Sequence, residues 1–304
     1  MRLIRYESGT GVRPAASMGS SDFYDVGDVI ADFTGEALHP YCLRRVADAV
    51  QTGGRPVVDP SAHRLAAPLH APGKIVCVGL NYQDHAAETA MDVPSEPILF
   101  MKAPTTIVGP NDAIVIPPGS TQTDYEVELG VVIGSRALYL PDQSSAADVI
   151  AGYTICNDVS ERDCQLNRGG QWDKGKSFPS FNPLGPWIVT TDEVPDPQAL
   201  ELSLHVNGVP RQSANTADMI FGAHYLVFYI SQFMELLPGD LINTGTPPGV
   251  ALGRGLDAYL TAGDEVETAI GGLGVQRNPV IANQVDPTST QAVVASAGEV
   301  NRGR

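Results

Sequence analysis

The sequence predicts a β-rich α+β fold, and three observations carry that prediction. Short apolar or β-branched segments recur along the 304 residues, each bounded by glycine or proline. Extended helical periodicity is confined to two stretches, 41–51 and 223–236. Leu202, Leu204 and Val206 alternate in strand fashion and run into Asn207-Gly208, a dipeptide that favours a two-residue hairpin turn.

Residues 1–70 read as a small N-terminal domain. Strands are expected at 2–6 and 29–32, and a helix at 41–51, where Leu43, Val46 and Val50 share a face and Gly53-Gly54 ends it. The proline-containing stretch 59–73 reads as a linker. A larger domain, 71–277, follows. Its first strand is expected at 74–79, after which Asp84 caps a short helix at 85–91. Further strands are expected at 106–108, 114–116, 125–133, 152–157, 187–190, 200–206 and 209–212. The helix 223–236 directs Leu226, Ile230 and Phe233 to one side, and Pro238-Gly239-Asp240 and Ala262-Gly263-Asp264 introduce two more strands. From 278 to 304 the chain is polar and aperiodic and reads as a mobile tail.

With 43% apolar and 18% charged residues, the composition is that of a globular protein rather than a disordered one. Asp and Glu number 35 against 19 Lys and Arg, a formal charge of −16. That surplus excludes a nucleic-acid binder, which needs a basic face, and disfavours docking on an anionic membrane. The N-terminus shows no signal-peptide core, and the apolar-rich run 220–234, interrupted by His224, Ser231 and Gln232, falls short of a bilayer span. The four cysteines form no C-x-x-C pair, so the cytoplasm is the expected compartment.

The segment Asp124-Tyr-Glu-Val-Glu-Leu-Gly130 is the most informative. Alternate side chains on a strand share a face, so Glu126 and Glu128 project together while Val127, Leu129 and Val131 project oppositely. A solvated face is the ordinary meaning of such a pair. Here the glutamate face continues as Gly130, Val132 and Gly134, so the strand enters the core on both faces. Two carboxylates at its mouth repel each other unless a cation lies between them. Asp158, at the end of the apolar strand 152–157, supplies a third. Three carboxylates form a hard oxygen site suited to Mg²⁺, with Mn²⁺ or Ca²⁺ as alternatives, and leave room for water or a chelating substrate.

Other clusters each have two readings. His85 and Glu88, three apart on one helix, are a general base with an orienting carboxylate or an ordinary surface pair. Arg162 and Gln165 follow the Asp158 strand, beside the acidic site or in a charged turn. Lys176, in a glycine-containing loop, and Lys102, after the apolar 98–101, would bring positive charge to the site, although a solvated lysine is commoner. Thr244-Gly-Thr246-Pro-Pro-Gly249 either holds a carboxylate on its amides and hydroxyl or is a plain Gly/Pro turn.

In order and spacing, these segments resemble the fumarylacetoacetate hydrolase family over residues 74–275. The resemblance rests on Gly79-Leu-Asn-Tyr-Gln-Asp-His85, Pro97-Ile-Leu-Phe-Met-Lys102, Asp124-Tyr-Glu-Val-Glu128, Asn157-Asp158-Val-Ser-Glu-Arg162-Asp, Gly175-Lys176-Ser, and Pro238-Gly-Asp240 through Gly249. It implies a mixed β-sandwich roll as catalytic domain, a smaller N-terminal domain and a homodimer. It also implies Mg²⁺ on Glu126, Glu128 and Asp158, a His85–Glu88 dyad on a mobile lid, and Lys176 as the active-site lysine. Arg162, Gln165, Thr246 and Lys102 fall on substrate-contacting positions. The chain departs from the pattern once: relatives acting on diketo sugar acids or diene-dioates often carry Asp-Thr-Phe after the lysine motif, where this chain has Ser177-Phe-Pro179-Ser180-Phe181.

The reaction so implied is Mg²⁺-dependent hydrolysis of a carbon–carbon bond in a 2,4-dioxo acid, acylpyruvate-like or sugar-derived, giving pyruvate and a second acid. Decarboxylation of oxaloacetate, or isomerisation of a 2-oxo-diene-dioate, would use the same enolate chemistry. A non-catalytic acidic protein that merely binds a metal is the remote alternative, and it gives the His–Glu pair and the lysines no task.

Overall fold

The computed structural model describes residues 1–19, 21–83 and 93–284, and the architecture is the expected β-rich α+β one. A mixed eleven-stranded sheet carries the site. Its order across the sheet is Val57–Val58, Phe23–Asp25, Gly11–Ser17, Arg2–Ser8, Ile188–Thr190, Ile150–Asn157, Val127–Ile133, Leu241–Asn243, Ile75–Gly79 and Ile98–Lys102, with Leu65–Ala66 also paired to Arg2–Ser8. A five-stranded sheet runs Val209–Asn215, Glu201–Val206, Glu265–Ile270, Gly274–Ala282 and Ile114–Ile116.

The central strand Val127–Ile133 explains how the layers stack. Its odd positions Val127, Leu129 and Val131 join one apolar cluster with Leu202, Leu204, Val266 and Ile270 of the smaller sheet, and with Leu226 and Ile230 of the helix Ala223–Ser231. Its even position Val132 joins a second cluster with Leu3, Phe33 and Val46, the last on the helix Pro40–Thr52. Every residue of this strand is buried, so both faces are core, as the Gly130–Val132–Gly134 pattern implies. Gly130 is needed there, because a Cβ would lie 2.5 Å from the Cys156 sulfur on the neighbouring strand.

Three expectations about elements change, and one further strand is unexpected. Residues 29–32 are not a strand but follow a turn at 27–29: the Val29 and Ile30 amides both donate to the Val26 carbonyl, which closes the backbone on itself. The helix from Ala223 stops at Ser231, and Phe233 is 63% exposed instead of facing the core with Leu226 and Ile230. The chain leaves the helix because Leu236 and Ala137 exchange backbone hydrogen bonds in a β-bridge. The polar tail does not begin at 278, since the strand Gly274–Ala282 runs through that point. Its buried positions include Gln276 and Asn278, whose side-chain amides donate to the carbonyls of Ile155 and Gly185 and of Pro110 and Asp112. Finally, Gly11–Ser17 pairs with Arg2–Ser8 although Arg13-Pro14-Ala15-Ala16 carries no strand-like alternation. Among the described residues, no helix is long and apolar enough to cross a membrane.

The leading strands are tied by Asp25, which accepts hydrogen bonds from Arg13, the Tyr6 hydroxyl and the Gly27 amide. The Arg13 contact first, against burial, holds the Asp25 carboxyl down to about 2. A depressed carboxyl pKa adds stability above its unfolded value of about 3.9, and that stability is lost as pH falls toward 2. Asp25→Asn is therefore expected to lower the melting temperature at pH 7. The deficit relative to the parent should shrink between pH 4 and 2 when melts are followed by circular dichroism.

Candidate active site

The site forms where two antiparallel neighbours end together. Val127 pairs with Asn157 and Glu128 with Cys156, so Glu126, Glu128 and Asp158 arrive at one edge. The Asp158 amide donates to the Glu126 carbonyl at 2.9 Å, and the Asn157 side chain accepts from the Glu126 amide at 2.9 Å. Carboxylate oxygens of Glu126, Glu128 and Asp158 all lie within 4.8 Å of one another, and all three residues are buried.

Three cations meet these acids. Phe100 and Lys102 share a face of the strand Ile98–Lys102, and the Lys102 ammonium donates to Asp158 and, at 3.1 Å, to the Val159 carbonyl. The Lys176 ammonium bridges Glu126 Oε2 at 2.7 Å and Asp158 Oδ2 at 2.9 Å. Arg162 reaches Glu126 Oε1 at 2.6 Å, Gln165 Oε1 at 2.9 Å and Asp124 Oδ2 at 2.8 Å. Lys102 is 2% exposed and has a fixed partner, so it is not the solvated lysine of the commoner reading.

Lys176 sits at the end of the short helix Asp173–Lys176, which is fastened at both ends. The Asp173 carboxylate accepts the Met101 amide and the Ser177 hydroxyl accepts the Ala103 amide, clipping the helix to the strand that carries Lys102. Gly175 permits the close approach on the other side: a Cβ there would lie 2.5 Å from the Glu161 carbonyl and 2.6 Å from Gln165 Cβ. Gly175→Ala is thus expected to displace Lys176 and Gln165 together, lowering the melting temperature and weakening divalent-cation binding by calorimetry. Binding equal to the parent's would show that the helix tolerates the displacement.

Burial raises the Glu128 carboxyl well above the usual range, and the charges of Asp158 and Glu126 push it further. Burial pulls the Lys176 ammonium down, but Asp158 and Glu126 outweigh it and the net shift is upward. Arg162 behaves likewise, with Asp124 and Glu126 overcoming burial. The cysteine thiols Cys77 and Cys156 near the site are raised by burial first, and serve as packing groups rather than nucleophiles.

Two details revise the reading of the Thr244–Gly249 loop. Its Gly245 amide does hold a carboxylate, but that of Glu128, at 2.8 Å. The Thr246 hydroxyl donates to the Val127 carbonyl at 3.0 Å and accepts from Gln212 at 2.8 Å, so it is engaged with the scaffold. Asp124, unassigned in the motif, is fully buried and accepts from Arg162 and from the Ala251 and Leu252 amides. Period-two alternation, which puts Asp124 on the face of Glu126, is the signal that could have found it. Trp172, which lines a pocket together with Glu126, Glu128, Arg162 and Lys176, has no such signal. At the departure from the family pattern, the Ser180 hydroxyl accepts the Val115 amide and Ser180 is 4% exposed, a scaffold role. His85 and Glu88 lie outside the described residues.

The donor set suits a hard divalent cation. Three close carboxylates are all oxygen donors, and the contact described for Glu128 is a backbone amide rather than a cation.

Against proteins already known, residues 74–281 match the sequence profile of the fumarylacetoacetate hydrolase C-terminal domain. The chain belongs to the fumarylacetoacetate hydrolase family. A Burkholderia ambifaria protein named no further than as a hydrolase is 47% identical over 277 residues, covering 91% of this chain and 97% of that one. Among solved structures, the 2-hydroxyhepta-2,4-diene-1,7-dioate isomerase of Mycobacterium marinum is 36% identical at a TM-score of 0.73, covering 93% of this chain and 99% of that one. The maleylpyruvate hydrolase of Sphingobium sp. SYK-6, solved with manganese(II) and pyruvate, is 27% identical at a TM-score of 0.76, covering 93% and 100%. This is a family of hydrolases and isomerases, and the chain has the fold of both.

Proposed function

We propose that this protein hydrolyses a carbon–carbon bond in a 2,4-dioxo acid, releasing pyruvate and a second acid. The observation that carries the reading is the buried Glu126–Glu128–Asp158 cluster with the Lys176 ammonium lodged between two of its members. Glu126, Glu128 and Asp158 would hold Mg²⁺ or Mn²⁺, which supplies charge to bind and polarise a 2-oxo carboxylate. The manganese and pyruvate bound by the Sphingobium enzyme support this choice.

The remaining work falls to the chain's own groups. Lys176, held protonated by its two carboxylates, presents a fixed positive charge where the departing enolate develops negative charge. Arg162 fixes Glu126 from the opposite side and orients Gln165. Lys102 fixes Asp158. His85 with Glu88 is proposed as the base that takes a proton from water as its oxygen adds to the C4 carbonyl. The bond between C3 and C4 then breaks, its electrons pass to C3, and a proton completes pyruvate.

The test is a panel of 2,4-dioxo acids, a 2-hydroxy-diene-dioate and oxaloacetate, assayed with Mg²⁺ and with Mn²⁺. Equimolar pyruvate and carboxylic acid from a 2,4-dioxo acid is the expected result. Loss of diene absorbance without pyruvate would instead assign isomerisation, the activity of the Mycobacterium marinum relative. Carbon dioxide from oxaloacetate alone would assign decarboxylation.

A further inference from the structure

We infer that Asp124 is a positioning residue: acting through Arg162, it aims the Gln165 carboxamide at an oxygen of the bound oxo acid. The inference deepens the proposed function and rests on its reading of the pocket as an oxo-acid site.

Asp124 is fully buried and its carboxylate is already filled. Oδ1 accepts the Tyr125 and Ala251 amides, both at 2.8 Å. Oδ2 accepts the Leu252 amide at 3.0 Å and Arg162 Nε at 2.8 Å. A carboxylate offers about four lone-pair sites, so neither a metal ion nor a substrate finds one free. What Asp124 does, it does through its partners. It faces Ser160 across a short antiparallel pair, which brings Arg162 within reach. Its Oδ2 takes both Nε and Nη2 of the guanidinium, each at 2.8 Å. Glu126 also takes Nη2, at 2.6 Å, and Nη1 is left to Gln165 Oε1, at 2.9 Å. The guanidinium is planar, so holding its Nε–Nη2 edge fixes where Nη1 lies.

The contact with Gln165 decides what the pocket meets. Arginine only donates, so the Gln165 oxygen must face it and the NH₂ group must face elsewhere. Gln165 lines the pocket with Glu126, Glu128 and Lys176, and among the described residues no acceptor meets its Nε2. The amide therefore presents N–H donors to whatever the pocket holds. An oxo acid carries the matching acceptors, its carboxylate and oxo oxygens. If the guanidinium were free to turn, the amide could turn with it and present its oxygen, which an anionic substrate would avoid. Asp124 prevents that rotation from outside the pocket.

The closing experiment uses the full chain with Mn²⁺ and titrates pyruvate by calorimetry. Asp124→Asn puts an N–H group among neighbours that all donate, and Arg162→Lys removes the planar fork while leaving the Leu252 amide its partner. Each should weaken pyruvate binding about tenfold, as should Gln165→Ala, the loss of one hydrogen bond to a charged group. Added to Gln165→Ala, either change should cost no more than about threefold further, because the contact is already gone. Gln165→Glu keeps an oxygen for Arg162 and turns a second one to the pocket, so it should weaken pyruvate more than Gln165→Ala does. In turnover of a 2,4-dioxo acid, most of the loss in Asp124→Asn should appear as a raised KM, with kcat changed less. Losses that multiply in the double variants overturn the inference, and so does Gln165→Glu binding pyruvate as the parent does. An Asp124→Asn chain that fails to fold, or that loses Mn²⁺ affinity by more than about tenfold, makes Asp124 a structural residue and also overturns it. Coupled losses in pyruvate binding without pyruvate release from any 2,4-dioxo acid defeat the proposed reaction but leave the inference standing. Release without coupling does the reverse, and a parent that binds no pyruvate defeats both.

Discussion

Replacing Lys176 with Met is expected to destabilise the metal-free protein by about 3–5 kcal/mol, the effect of stranding a buried charge by removing its partner. Pyruvate release should fall by about 10²–10³-fold, the usual loss when one preorganised positive or hydrogen-bonding group is removed. The two losses have a common origin. Lys176 is 2% exposed and is the contact through which Glu126 and Asp158, at the ends of two different strands, share one positive charge. Methionine keeps the volume and the packing on Phe100, so cavity formation contributes little. Mn²⁺ should then rescue the variant's stability more than the parent's, because the vacated carboxylates bind it more strongly. Thermal melts in EDTA and in MnCl₂ measure this. A variant melting within a degree of the parent in EDTA would show that Lys176 does not hold the carboxylates.

Much of this site is legible in the sequence, for a definite reason. The Glu126–Glu128 pair and its burial follow from period-two geometry and from the glycines and valines that continue the same face. Both are local facts. Asp158 is placed by the end of one apolar strand, and it meets Glu126 because Val127 pairs with Asn157. The unread parts are those whose partners are remote. Period-two alternation puts Asp124 on the face of Glu126, but its partners are remote, Arg162 across 38 residues and the Ala251 amide across 127, and alternation alone does not name them. Thr246 shows the converse failure. Its motif is visible, but whether its hydroxyl faces a ligand or the scaffold depends on Gln212, on the other sheet. The same limit governs the fold. A strand whose buried positions include Gln276 and Asn278 looks like a polar tail until the carbonyls they bond are known. A helix that ends for a bridge to Ala137 looks five residues longer than it is, reaching 236 instead of Ser231.

Glu128→Gln should act in the opposite sense to the lysine change, raising the melting temperature of the metal-free protein by roughly 2–5 °C. Mn²⁺ binding should weaken by at least about 100-fold, and pyruvate release should fall with it. Glu128 is 1% exposed and its described partner is the Gly245 amide, whereas Glu126 and Asp158 hold the lysines and the arginine. Its charge is therefore the one the folded chain accommodates least well, with Asp158 and Glu126 within 4.8 Å. Glutamine removes that repulsion and still accepts the Gly245 N–H through Oε1, so the scaffold is unchanged. The amide's NH₂ group, a donor where a cation needs an oxygen, accounts for the lost affinity. Calorimetric melts with and without Mn²⁺ give both quantities in one series. The parent should gain stability from the ion, and the variant, already more stable without it, should gain almost none. A variant less stable than the parent in EDTA would mean that Glu128 is held by more than the Gly245 amide. A structural acid would behave that way; an acid retained for a bound cation leaves the folded chain more stable when it is removed.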